Sequence, residues 1–275
     1  MRSGTPPDRH RSTLGTALMT LLLAIVLLPQ IGMGAQESTP LPAGTPTPAQ
    51  SCGERLGIGD ASVACLIFIH GSSDAGPVDI SVGGAALFSG VAFGSSTGFV
   101  ALPAGTYDIV VTASSQPDAV LIDAPNQQLS EGQGVEVAIV GSRDSATLTA
   151  LTLPVDVATP APGTASLRVV QAIPDAPPLD IGLPAGATLI SGLAPLTASG
   201  YLTIPAAAAS IEIRAAGSPD VLFPVPNFTA PGGATLTVYA LGSVTNPTGI
   251  VLLTVLMPGS ESQPPGTLVL ATPAA

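Results

Sequence analysis

His70, Ser72, Ser73 and Asp74 bring a base, two hydroxyls and a carboxylate into one short stretch, the ingredients of nucleophilic hydrolysis. Such chemistry needs nucleophile, base and orienting acid stacked in line, and separate elements of a fold normally supply them. Residues of one tight loop do not reach that geometry. An aligned segment further along the chain carries Gln171 for His70 and Ile173 for Ser72. We therefore assign no catalytic residue and read His70 as a satisfied polar residue at a strand end.

Two acidic pairs, Asp74 with Asp79 and Asp175 with Asp180, recur at one spacing. Carboxylates so placed could contribute to a calcium site, which takes about six to eight oxygens. Two carboxylates leave most of that shell empty. The preferred reading is that Asp74 and Asp175 cap the turns Ala75-Gly76-Pro77 and Ala176-Pro177-Pro178 by accepting backbone N–H bonds. Asp79 and Asp180 then point outward from strands whose neighbours, Val78 and Ile80 or Leu179 and Ile181, point in. These four aspartates are the binding candidates, and no cofactor or metal site is assigned.

Cys52 and Cys65 are the two cysteines of the chain. In an oxidising compartment they form a disulfide by default, tying the segment around Gly53–Gly59 to the start of the first strand. Closing a loop of this size contributes about 3 kcal/mol by chain entropy. Two thiols with only His70 nearby make a poor metal set. Asn227-Phe228-Thr229 matches a glycosylation acceptor, but the aligned Asn126 is followed by Gln127 and Gln128, so the match reads as chance.

The elements that position these residues are written twice. Asp74, Ala75, Pro77, Asp79 and Ile80 recur 101 residues later as Asp175, Ala176, Pro178, Asp180 and Ile181. Gly90, Gly98, Phe99 and Pro103 recur 102 residues later as Gly192, Gly200, Tyr201 and Pro205, and Val120, Pro125, Asn126 and Gly132 return to 101 as Val221, Pro226, Asn227 and Gly233. A tandem module follows. Within it the apolar period is two, as in Tyr107, Ile109 and Val111 or Ile211 and Ile213, which marks strands with one buried face. Val135, Val137 and Ile139 alternate likewise with Glu136 and Ala138, while Leu66–Ile69 is apolar throughout, as a strand covered on both sides would be.

With 31 Gly and 29 Pro the chain is interrupted too often for long helices. The extra residue of the second copy falls at Pro184-Ala185-Gly186 against Gly83-Gly84, a pair suited to a two-residue hairpin turn. The compensating loss falls near Asp118–Val120, where Pro117 and Pro219 predict a turn. Seven or eight strands per copy predict an all-β chain of two tandem antiparallel β-sandwiches. Phe99 and Tyr201 are the expected aromatic anchors of their cores.

Arg2, Arg9 and Arg11 precede an apolar core at Ala17–Leu28 and small residues at Gly32, Gly34 and Ala35, the layout of a secretory signal helix. The core is shorter than the roughly 20 residues of a membrane span. Cleavage is expected near Gly34–Gln36; Met33 fits that site poorly, so an uncleaved anchor stays an alternative, and membrane association is expected only in that case. The expected layout is a signal at 1–35, a Pro/Thr-rich spacer at 36–63, a first module at 64–153, a linker at 154–165, a second module at 166–257 and a tail at 258–275.

The chain has no lysine, seven arginines and 18 acids, a formal charge of −11. Such a surface repels phosphate backbones, so nucleic acid is excluded as a partner. An unidentified envelope or extracellular partner is the remaining expectation.

His70, Asp74, Ala75, Pro77, Val78 and Asp79, then Gly90, Val91, Phe93 and Gly94, then Leu102–Tyr107 follow one pattern. It resembles a bacterial exported module known as domain of unknown function 4397, with its His-Ala-Ser-Pro-Asp-Ala-Pro turn, Val-Asp-Val strand, Gly-Val-Xaa-Phe-Gly step and Leu-Pro-Ala-Gly-Thr-Tyr turn. The second copy keeps Pro174, Asp175, Ala176, Pro177, Leu179 and Asp180 but lacks the histidine and the Gly-Thr-Tyr. The resemblance implies an immunoglobulin-like or transthyretin-like sandwich in secreted or cell-surface proteins and brings no activity. A non-enzymatic structural or adhesive protein is the expected role, with a binding module for a small ligand, glycan or calcium as the alternative.

Overall fold

The computed structural model describes residues 50–184, 186–258 and 268–270. The expected signal segment, the first half of the expected spacer (36–49) and most of the tail (259–267 and 271–275) lie outside the described residues. One short helix, α1 (Cys52–Leu56), precedes the first module. Ser51 caps it, reciprocated by Glu54, and Gly57 ends it at φ 67°.

The first module contains β1 (Val63–His70), β2 (Val78–Val82), β3 (Ala85–Val91), β4 (Ser95–Ser96), β5 (Val100–Pro103), β6 (Gly105–Ala113), β7 (Gln116–Leu129), β8 (Gly134–Val140) and β9 (Thr149–Val155). The second repeats the series as β10 (Thr164–Ala172), β11 (Leu179–Gly182), β12 (Thr188–Leu193), β13 (Thr197–Ala198), β14 (Leu202–Pro205), β15 (Ala208–Ala215), β16 (Val221–Thr229), β17 (Thr235–Ser243) and β18 (Asn246–Met257), and β19 (Leu268–Leu270) adds to β18. The additional strands beyond the expected seven or eight are the two-residue β4 and β13, too short to leave a periodic trace.

Each module is a sandwich of two sheets. The outer ones, β3-β2-β6-β7 and β12-β11-β15-β16, are antiparallel. The inner ones are mixed: β1 runs parallel to β8, and β10 parallel to β17, with antiparallel partners on either side. Alternation sends Leu66, Phe68, Val135, Val137 and Ile139 into the first core against Ile80, Ile109 and Val111. The second core repeats this with Leu167, Val169, Leu236 and Val238 against Ile181, Ile211 and Ile213.

The other faces of the inner sheets are not solvated. Ile67, Ile69, Ala138 and Val140 pack against Val170, Ala172, Tyr239, Leu241, Leu253 and Val255 in a third apolar layer that joins the modules. This explains why Leu66–Ile69 is apolar throughout. It also corrects the outward placement of Glu136, which is 2% exposed. Phe68 and Tyr239 are the fully buried aromatics, whereas Phe99 is partly buried beside the third layer and Tyr201 stacks on Arg168.

The turn at Gly83-Gly84 forms with φ of 58° and 79°, as a primed hairpin turn requires. The second length difference lies where expected, but in the first copy it is a bulge and not a turn, whereas Pro219 of the second copy lies in the β15–β16 loop. The β6–β7 turn is at Ser114-Ser115, and Pro117–Ala119 is a bulge inside the long β7, between the pairs Thr112 with Val120 and Ala113 with Gln116. Proline fits there because a bulge residue need not donate to the ladder.

Candidate functional site

The chemistry-bearing residues of the first copy meet where β1 ends beside the β8–β9 loop. His70 Nε2 lies 2.7 Å from the Gly76 carbonyl, and the Ser72 N–H approaches Nδ1 at 3.4 Å. A neutral ring protonated on Nε2 satisfies both contacts. Burial lowers the His70 pKa, against the Gly76 carbonyl, which raises it. Gln171 does the same work in the second copy, its Nε2 donating to the Pro177 carbonyl at 2.9 Å. The ring is thus a brace for the turn after β1.

Asp74 accepts four hydrogen bonds. Oδ1 takes the Ser72 hydroxyl at 2.8 Å and the Arg143 N–H at 3.0 Å; Oδ2 takes the Ser142 hydroxyl at 2.7 Å and the Asp144 N–H at 3.0 Å. Asp175 repeats this with the Ser243 hydroxyl at 2.5 Å and the N–H groups of Val244 at 3.0 Å and Thr245 at 3.1 Å. The expected caps exist, but on the remote hairpins β8–β9 and β17–β18 rather than on the aspartates' own turns. Desolvation pulls both carboxyls up, and the N–H and hydroxyl donors outweigh it, holding both below the ordinary aspartate value.

Asp79 and Asp180 fasten the neighbouring strands. Asp79 Oδ1 accepts from the Ser114 hydroxyl at 2.5 Å and the Gly90 N–H at 2.8 Å. Asp180 accepts from the N–H groups of Gly217 at 3.0 Å and Gly192 at 2.7 Å and from the Ser191 hydroxyl at 3.1 Å. Gly90 and Gly192 sit at φ 66° and 64°, which accounts for their recurrence. Both carboxyls are lowered, Asp79 chiefly by Ser114 and Asp180 chiefly by the Gly217 N–H. The structure does not bring Asp74 and Asp79 onto a common ligand point: each binds its own set of donors. Among the described residues no group of three or more His, Cys, Asp and Glu side chains is placed to hold a metal.

Cys52 and Cys65 are joined, with an S–S distance of 2.01 Å. The bond fixes α1 to β1 over a small core of Leu56, Val155 and Met257. From α1, Arg55 donates to carbonyls of the linker and the second module, at 3.0 Å to Val157 and 2.9 Å to Pro258 among others. The signal for this helix was present in the sequence as Ser51-Cys52-Gly53-Glu54, a capping box.

Between the modules lies a polar cluster that periodicity missed. Glu136 Oε2 accepts from Arg168 Nη2 at 2.9 Å and from the Tyr239 hydroxyl at 2.6 Å. Arg168 also donates to the Pro154 carbonyl at 2.7 Å, and its guanidinium carbon is 4.6 Å from the Tyr201 ring centroid. Burial outweighs the attraction of Arg168 and pushes the Glu136 carboxyl up; burial and Glu136 together push the Tyr239 phenol well up. The available clue was Arg168 standing in an otherwise apolar segment where the first copy has Ile67.

No curated protein matches the chain. The family described as Domain of unknown function (DUF4397) matches residues 64–182 and again residues 165–263, so both sandwiches are covered and the two matches overlap on β10 and β11. With the turn aspartates, the paired glycines and the inner-sheet register recurring in both, the chain belongs to the DUF4397 family and carries two tandem copies of its module.

Proposed function

We propose that the chain is a non-enzymatic secreted or cell-surface protein whose two modules act together as a structural or adhesive element. One observation carries this reading: in both copies the residues with the greatest chemical potential spend their polar atoms on turns and hairpins of their own module. His70 and Gln171 brace one turn, while Asp74 and Asp175 hold the hairpin across from it. The disulfide fits an oxidising, extracytoplasmic location. A pull-down from the native envelope with residues 36–275 as bait tests it. Specific retention of an envelope or matrix component is expected, and failure to bind envelope, matrix or cells would overturn the adhesive reading.

A second reading, a small-ligand module, draws on a cleft of about 340 Å³ lined by Ala119, Val120, Leu121, Arg143, Ala146 and Leu148. Arg55, Arg168 and Arg214 are engaged by carbonyls or carboxylates, whereas among the described residues Arg143 has no such side-chain partner. The second copy has Val244 and Gly249 in place of Arg143 and Leu148, so this cleft belongs to the first module. A calcium role predicts a calcium-induced rise in Tm that alanine at Asp79 and Asp180 abolishes; an unchanged Tm removes it.

A further inference from the structure

The surface that joins the modules is one surface used twice. The repeat register equates Ile67 with Arg168, Ile69 with Val170, Glu136 with Thr237, Ala138 with Tyr239 and Val140 with Leu241, and the parallel pairing of β1 with β8 matches that of β10 with β17 residue for residue. A face buried against its own duplicate would accept either kind if the duplicates were identical. At the centre they are not.

Glu136 belongs to the first copy, and Arg168 and Tyr239 to the second; the acid and the arginine are 2% and 5% exposed. In a pairing of two first-copy faces, each Glu136 would meet Ile67 and Ala138 where Arg168 and Tyr239 now stand. In a pairing of two second-copy faces, each Arg168 would meet Thr237 in place of the acid. Either arrangement buries charge without a counter-charge, which is strongly unfavourable. The apolar surround is common to all pairings, so the central pair decides between them.

We propose that this face is a self-recognition surface of fixed polarity, and that a second copy of the chain is a partner it fits by exchange of modules, each first module seated on the other chain's second. Strands β9 and β10 are joined by Asp156–Gly163. That short linker favours closure within one chain at low concentration. An opened chain carries one face of each polarity, so two opened chains satisfy each other with contacts already built. The inference extends the structural reading above and needs no envelope ligand, so the pull-down and the following test fail independently.

The test uses the chain from residue 36 onward, with its disulfide. E136R carries a cation on both faces, and R168E an anion on both. Each alone should give an expanded monomer in small-angle scattering, and an equimolar mixture should give a complex of twice the mass by light scattering. E136R/R168E in one chain should return to the compact monomer. No complex in the mixture, the same dimer from either variant alone, or a double variant that stays expanded overturns the proposal. If the single variants do not fold, the chain lacking Thr159–Pro162 decides, because its shortened linker hinders closure within one chain: a complex of twice the mass supports the proposal, and a compact monomer overturns it.

Discussion

His70 and Gln171 show how a residue that looks chemical can be exchanged for one that is not, provided the hydrogen bond to the following turn survives. H70Q should therefore keep denaturant stability within about 0.5 kcal/mol, while H70A, which leaves the Gly76 carbonyl without its donor, should lose about 1 kcal/mol. The pH profile separates these effects further. The folded-state pKa of His70 is lowered, so the ring binds its proton more readily in the unfolded chain, and stability falls as pH drops below about 6.5. H70Q should remove that limb of a Tm-versus-pH curve. Asp74, Asp79, Asp175 and Asp180 are also lowered, so their contribution is full above the unfolded value of about 3.9 and is lost as pH falls below it. D74A should loosen the β8–β9 loop, cost about 1–2 kcal/mol and speed amide exchange at Arg143 and Asp144. The sequence displayed these aspartates by their recurrence, but not their acceptor role on a hairpin some seventy residues away, because local turn chemistry carries no record of tertiary partners.

At the level of elements, strands were legible wherever one face met a core and the other met solvent, as in β2 with its alternating burial. They were also legible where both faces are covered, as in β1, since continuous apolar character has few other causes. What covered the second face was not legible. Glu136 satisfies the alternation rule as an outward residue, and only the packing of another module turns outward into buried. The proline at 117 misled for a related reason: it interrupts a ladder at a bulge as well as at a turn. Helix α1 is held by a disulfide and a capping box rather than by amphipathic spacing. Replacing both Cys52 and Cys65 by serine should lower stability by about 3 kcal/mol in denaturant titration. The same change should expose the linker contacts of Arg55, read as faster proteolysis near Val157.

For the whole molecule, the buried pair makes opposite predictions for the loss of one partner and of both. E136A leaves Arg168 desolvated with no carboxylate and should cost about 3–5 kcal/mol, whereas replacing both residues with leucine, with Y239F so that no buried hydroxyl is orphaned, should be neutral or stabilising. A denaturant midpoint series on the two variants checks this. The third apolar layer has a further consequence, in time rather than in space. Synthesis runs from the N-terminus, so β1 through β9 are complete while β10 through β18 are still being made. During that interval Ile67, Ile69, Ala138 and Val140 form a finished wall with nothing against it. The first module therefore spends its earliest moments as a sticky intermediate, and pausing within the second should raise aggregation far more than pausing after it.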